Sequence, residues 1–321
     1  MTARLYRSAQ ARTPATADGL LSGRRRPGGG PPAKPFWRRL GPWLYLAPLL
    51  AFIGVFKVWP TIWGVYLSFF HVRPYLGNQY VGSANYSKLF SDPDLRTAVV
   101  HTLIDAVCAV SGSIFVGFWL AVLLQGPARH IRILRTAVFL PTVIAMVAAA
   151  ELWTTLLYPS QYGSVNTLLG KVGLGPEPFF SSPHSALASV ILMQIWKNAP
   201  YDMVIFVAGL ASIDREMYEA CHIDGANWWQ RLRFVTLPSL RPITTIVLVL
   251  GVIRGLRVFT DIWVSTNGGP AGSSESVVTY LYRQFSENND TGYAAAIGTV
   301  LLVVTMGLTC LMLLWRRRGD T

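Results

Sequence analysis

Lys57, Asp105, Lys197, Arg254, Arg257 and Asp261 fall in or at the edge of long apolar runs. A charge at mid-bilayer costs roughly 2.5–3.5 kcal/mol on insertion scales, so each must face protein or water. Arg257 and Asp261 are four residues apart, one helical turn, and are expected to form a structural intramembrane pair. The Lys57 stem is long enough to snorkel. Gln194, Asn198 and Tyr201 recur at i, i+4 and i+7 as one polar-aromatic stripe. Amides that hydrogen-bond and a ring that stacks suit a polyhydroxylated ligand, and they equally suit contact with a partner chain.

Catalytic chemistry finds no support in the spacing. His222 and Asp224 lie two apart, so on a helix they face different ways. Gly163 to Lys171 superficially suggests a phosphate loop, but Val172 follows Gly170-Lys171 and the glycine spacing is wrong. Neither a nucleophile–base spacing nor a His/Cys/Glu cluster is present, so no catalytic residue and no metal site is expected. Cys108, Cys221 and Cys310 have no paired spacing, which excludes a disulfide framework or ordinary structural zinc. They read as small packing residues.

The elements that position these residues are apolar helices. The chain is 52% hydrophobic and 14% charged, against about a quarter charged in ordinary soluble domains. Its mean hydropathy is +0.38. Apolar blocks cover about 42–70, 102–125, 137–159, 186–211, 242–264 and 293–315, each near the length that crosses roughly 30 Å of hydrocarbon as a helix. Pro48 and Pro60 break the first. An all-α polytopic membrane protein with six transmembrane helices is expected; a barrel would show short alternating segments.

Residues 1–40, with Arg24-Arg25-Arg26 and Gly28-Gly29-Gly30, read as a disordered basic tail, and 41–321 as the membrane domain. Nineteen Lys/Arg fall in this tail, in loops 126–136 and 212–241 and at the C-terminus, against five in loops 71–101, 160–185 and 265–292. That bias predicts cytoplasmic N- and C-termini. The net charge of +12 therefore reads as membrane orientation. It forms no aromatic-interleaved stripe for nucleic acid.

Loop 212–241 stands apart. A short helix begins near Asp214 or Ser212, Gly225 ends or bends it, Ala226 to Phe234 form a second helix, and Pro238 breaks the chain before the fifth block. The loop reads Glu219-Ala220-Cys221, three residues, Gly225, nine residues, Val235, Thr236, Leu237-Pro238. It resembles the EAA loop of ABC-importer permeases at every spacing, with Cys221 in place of the second alanine. Trp196-Lys197-Asn198-Ala199-Pro200, Phe259-Thr260-Asp261-Ile262-Trp263 with Thr266 to Pro270, and Gly82 to Tyr86 resemble the carbohydrate, maltose-type branch. The resemblance covers about 40–315.

The resemblance implies a type I ABC importer transmembrane domain (MetI-like) in a bacterial plasma membrane. It implies a heterodimer with a second permease, an ATPase homodimer that holds the ATP and magnesium, and an extracytoplasmic solute-binding protein. Glu219, Ala220, Cys221, Asp224, Gly225, Leu237 and Pro238 would couple to the ATPase. Blocks four and five would line the path of a sugar or oligosaccharide through Gln194, Asn198, Tyr201, Gly251, Gly255 and Val258, the last three offering room. Glycerol 3-phosphate or a glycerophosphodiester is the alternative solute. An ion-driven secondary transporter would rest on Asp105 and Asp261, and a membrane-embedded enzyme lacks a reacting constellation.

Overall fold

A computed structural model describes residues 36–73 and 77–319. The basic segment 1–35 lies outside the described residues. The chain divides into two units, Met1–Phe56 and Lys57–Thr321. The first contains α1 (Phe36–Ile53), which starts inside the expected tail and carries Pro48 within its length. The second contains α2 (Trp59–Leu67), α3 (Ala84–Ser91), α4 (Pro93–Leu123), α5 (Arg129–Val143), α6 (Met146–Leu156), α7 (Ser164–Lys171), α8 (Ala186–Ala211), α9 (Arg215–Ile223), α10 (Trp228–Arg231), α11 (Leu237–Ser239), α12 (Arg241–Leu256), α13 (Thr260–Ser265), α14 (Val277–Ser286) and α15 (Thr291–Gly319).

Among the described residues, three stretches are single spans by length and apolarity: Tyr45–Leu67, Pro93–Leu123 and Thr291–Leu314. The third block is a bent pair, α5 and α6, with 99° between them, and the fifth is entered through a 64° bend between Trp228–Ser239 and α12. The fourth block, α8, is unbroken over 26 residues. It is long enough to cross but too polar on composition, because Gln194, Lys197, Asn198 and Asp202 occupy its middle. Polar groups at such depth must be covered by protein, and α8 is the helix with the most buried positions, from Ala186 to Leu210.

Small residues make that covering possible. In lipid, where the hydrophobic effect does not drive helices together, close backbone approach and dispersion do. A Cβ on Gly117 of α4 would lie 2.8 Å from the Ala199 carbonyl oxygen of α8. On α12, a Cβ at Gly251 would lie 2.6 Å from Val110 Cγ1, and one at Gly255 2.8 Å from Ala106 Cα. Ala121, Met203, Phe206, Leu210 and Val247, with Leu240 at the N-cap of α12, form one buried cluster across α4, α8 and α12.

At the end of the bundle where α4 begins, Asp92 caps the helix by accepting from the Asp94 and Leu95 amides at 3.0 and 3.2 Å. It also accepts from the hydroxyls of Tyr280 at 2.7 Å and Tyr293 at 2.5 Å. Burial opposes its charge, but these hydrogen bonds outweigh it and hold the carboxyl below the usual carboxylate range. Nearby, buried Asn85 donates to the carbonyls of Ser68 at 2.8 Å and Phe70 at 3.1 Å. The Gly82–Tyr86 motif thus ties a two-stranded ribbon, Phe70–His71 with Gln79–Tyr80, to α3.

Gly117→Val should destabilise the protein by about 1–3 kcal/mol through overpacking. Gly170→Val, on a surface with no atom within 4 Å of the new Cβ, should leave thermal stability in detergent unchanged. Equal melting temperatures for the two variants would contradict the close α4–α8 contact.

Candidate functional site

The polar middle of α8 opens onto a cavity of about 390 Å³. Its walls come from α4 (Val110, Ser113), α8 (Gln194, Lys197, Asn198), α12 (Gly251, Arg254, Gly255) and the link into α13 (Arg257, Val258, Phe259, Asp261). Five of the six residues expected on the solute path line it. Tyr201 does not; its ring sits 5.4 Å from the Arg254 guanidinium carbon. Gly251 and Gly255 reach the cavity, but they contribute contact with α4 rather than the expected room.

The charges in this wall are arranged differently from the sequence expectation. Arg257 and Asp261 do not pair: among the described residues neither appears in an ion pair. The reason is local. α12 ends at Leu256, Arg257 is its C-cap, and Phe259 at φ −138°, ψ −66° starts a separate helix, so the one-turn relation is lost. The ion pair that forms joins Arg254 Nη2 to Asp202 Oδ1 at 2.8 Å, with the Asp202 side chain fully buried. Ser113 Oγ donates to the other Asp202 oxygen at 2.8 Å, and Arg254 Nη1 donates to Asn198 Oδ1 at 3.3 Å. Asp202 was absent from the sequence candidates. Its signal is its own position, an acid inside an apolar block four residues after Asn198.

Two further contacts use up polar groups. Gln194 Nε2 donates to buried Asp105 Oδ1 at 2.9 Å. Lys197 Nζ donates to the carbonyls of Pro141 at 3.1 Å and Ile144 at 2.5 Å, where α5 ends and its carbonyls lack intrahelical partners. Lys197 therefore latches α8 to the α5–α6 bend. The stripe on α8 is first an internal adhesive, and the faces of Asn198 and Gln194 that remain toward the cavity are what a ligand could meet.

The loop before α12 forms a hairpin of two helices. α9 has no buried residue, and Ile223 is 87% exposed. Gly225 takes φ +72°, the left-handed region that favours glycine. Its amide bonds the His222 carbonyl at 3.2 Å, and the Ala226 amide bonds that of Cys221 at 2.9 Å, the paired closure of a Schellman turn. Asp224 is the C-cap. Asn227 opens α10 with a reciprocal box, accepting from the Gln230 amide at 2.9 Å while its own amide donates to Gln230 Oε1 at 2.7 Å. Pro238 does not break the chain as expected. It sits in the first turn of α11, where a missing amide hydrogen is harmless, and the bend falls after Ser239.

Glu219 and Ala220 are exposed. Among the described residues, the Glu219 side chain pairs with Arg215 alone, at 3.1 Å with both side chains largely solvated, a pairing of little energetic weight. The hairpin is held by its other face. The Tyr218 and Thr236 hydroxyls hydrogen-bond at 3.0 Å. Trp119 of α4 lies 6.2 Å from Trp228 and 6.1 Å from Trp229, ring to ring.

Residues 111–318 match the family described as the binding-protein-dependent transport system inner membrane component. A probable ABC transporter permease protein of Pyrococcus horikoshii is 33% identical over 280 residues, which cover 86% of this chain and 96% of the relative. The arabinooligosaccharides transport system permease protein AraP of Bacillus subtilis is 31% identical, covering 86% of this chain and 88% of the relative. Among solved structures, a chain of a bacterial ABC transporter involved in the import of the acidic polysaccharide alginate aligns with a TM-score of 0.77 at 26% identity, covering 89% of this chain and 99% of that one.

Removing one member of the buried pair leaves an uncompensated charge. Arg254→Met should destabilise by about 3–5 kcal/mol, and adding Asp202→Leu should restore much of it. A double variant no more stable than Arg254→Met in detergent melting would contradict the pairing.

Proposed function

The chain belongs to the family of binding-protein-dependent transport system inner membrane components, and we propose that it is one permease half of an ATP-driven importer for a sugar or oligosaccharide. The observation that carries this reading is the hairpin. No residue of its α9 is buried, its turn is closed by Gly225, and it carries the Glu219-Ala220-Cys221 spacing. A fixed, solvated helix with small residues is what a cleft on a cytoplasmic ATPase can accept.

In this proposal the two bent pairs and α8 complete six crossings, and the Lys/Arg bias puts both termini and the hairpin in the cytoplasm. A second permease supplies the other half of the cavity. An ATPase homodimer, which holds ATP and magnesium, docks on the hairpins. An extracytoplasmic binding protein delivers solute. Two states differ in the side to which the cavity opens, and the ATPase shifts their balance through contacts that differ between the states.

A saccharide is supported by the amides of Gln194 and Asn198 in the cavity wall and by relatives named for saccharide transport. Of the two arginines a phosphate diester could have met in this wall, Arg254 is neutralised by Asp202.

Gly225→Trp tests the docking role. A Cβ added there meets no described atom of this chain within 4 Å, so the added bulk starts from open surface where a partner could meet it. Both Gly225→Ala and Gly225→Trp incur the left-handed backbone cost of about 1–2 kcal/mol. Membrane levels should match the parent in both. ATP-dependent uptake should fall at least about tenfold in Gly225→Trp and much less in Gly225→Ala. Normal uptake in Gly225→Trp would contradict the proposal.

A further inference from the structure

A second and larger cavity, of about 830 Å³, adjoins the first and shares Ile253, Arg257 and Phe259 with it. It runs between the start of α2, the end of α12 and the face of α15 that bears Thr305 and Cys310. Most of its lining is apolar. Two of its side chains are charged: Lys57 and Arg257.

Neither cation is compensated. Among the described residues, no carboxylate lies within ion-pair distance of Lys57 or Arg257, and neither side chain makes a hydrogen bond. The contrast with their neighbours is sharp: Arg254 has Asp202, and Lys197 has two helix-end carbonyls. Asp261 lines only the first cavity.

Depth separates the occupants that could supply negative charge. Lys57 lies near the middle of the Tyr45–Leu67 span, in a π turn from Gly54 to Val58. A phospholipid headgroup sits at the membrane surface, away from Lys57 at mid-span. Unpaired charge at that depth is costly and marks a path for polar solute, and such π turns recur at functional positions.

We propose that Lys57 and Arg257 form an anion-selecting station on the solute path, so that the imported saccharide carries a carboxylate or phosphate. The proposal rests on the importer reading above. The apolar wall, with Phe259 shared between the cavities, takes the faces of the sugar rings, and the cations take the acidic substituent. Arg257 stands where the two cavities join and meets the acidic group in both.

Cys310 in the wall of this cavity provides the probe. In the assembled importer, with Cys108→Ser and Cys221→Ser, anionic and cationic methanethiosulfonate reagents of similar size are compared at Cys310. The anionic reagent should react at least about tenfold faster, and the preference should collapse in Lys57→Gln/Arg257→Gln. Trigalacturonate or glucose 6-phosphate should slow the reaction at concentrations where maltotriose does not.

Indifference to reagent charge, or loss of the second permease from the purified double variant, would assign the cations to a partner's carboxylates and overturn the proposal. Protection by maltotriose equal to that by the acidic sugars would overturn it too, as would no protection by either acidic sugar. All these results leave the importer reading intact. That reading fails separately, if the assembled wild type shows no ATP-dependent uptake.

Discussion

The guanidinium of Arg254 against the buried carboxylate of Asp202 is the contact on which the membrane bundle depends. It joins α12 to α8 beside the cavity, and Ser113 brings α4 into the same network. A buried ion pair is weak evidence for stability, because desolvation offsets much of its Coulomb energy. Its value is positional. With Asp202 fixed, Arg254 cannot swing, α12 has one register on α8, and the helix break at Arg257–Phe259 falls at one place beside the cavity. The glycine contacts of α4 and α12 then bring backbones close enough for the pair to form.

The same helices reach the hairpin. α4 lines the cavity with Val110 and Ser113 and meets α10 through Trp119. α12 begins two residues beyond Ser239 and ends at the cavity with Arg254 and Gly255. A displacement applied to α9 passes to α10–α11 through the Tyr218–Thr236 bond and the Schellman turn, and from there to both helices. The exposed face of α9 and the cavity are therefore two ends of one packed block, which is the arrangement a coupled two-state device requires.

Much of this was legible in the sequence. The helical class followed from the apolar blocks, and the glycine turn from Gly225 and its flanking small residues. The residues expected on the solute path share one cavity apart from Tyr201. What failed was pairing. Arg257 and Asp261 have helical spacing, but spacing holds only while the helix continues, and here it stops at Leu256. Asp202 was missed because its partners, Arg254 and Ser113, are distant in sequence. Pro238 misled for a related reason: proline breaks a helix interior but suits a first turn, and which of these applies is set by where the preceding helix ends. Local rules read each element, and tertiary contacts decided where elements stop.

In the proposed importer, the solvated face of α9 is the seat of a separate ATPase. Photo-cross-linking from a benzoylphenylalanine at Ile223, 87% exposed in this chain, tests it directly in the assembled complex in native membranes. A covalent product with the ATPase subunit is expected, with a yield that changes on ATP binding. Products confined to lipid or to this chain itself would contradict it.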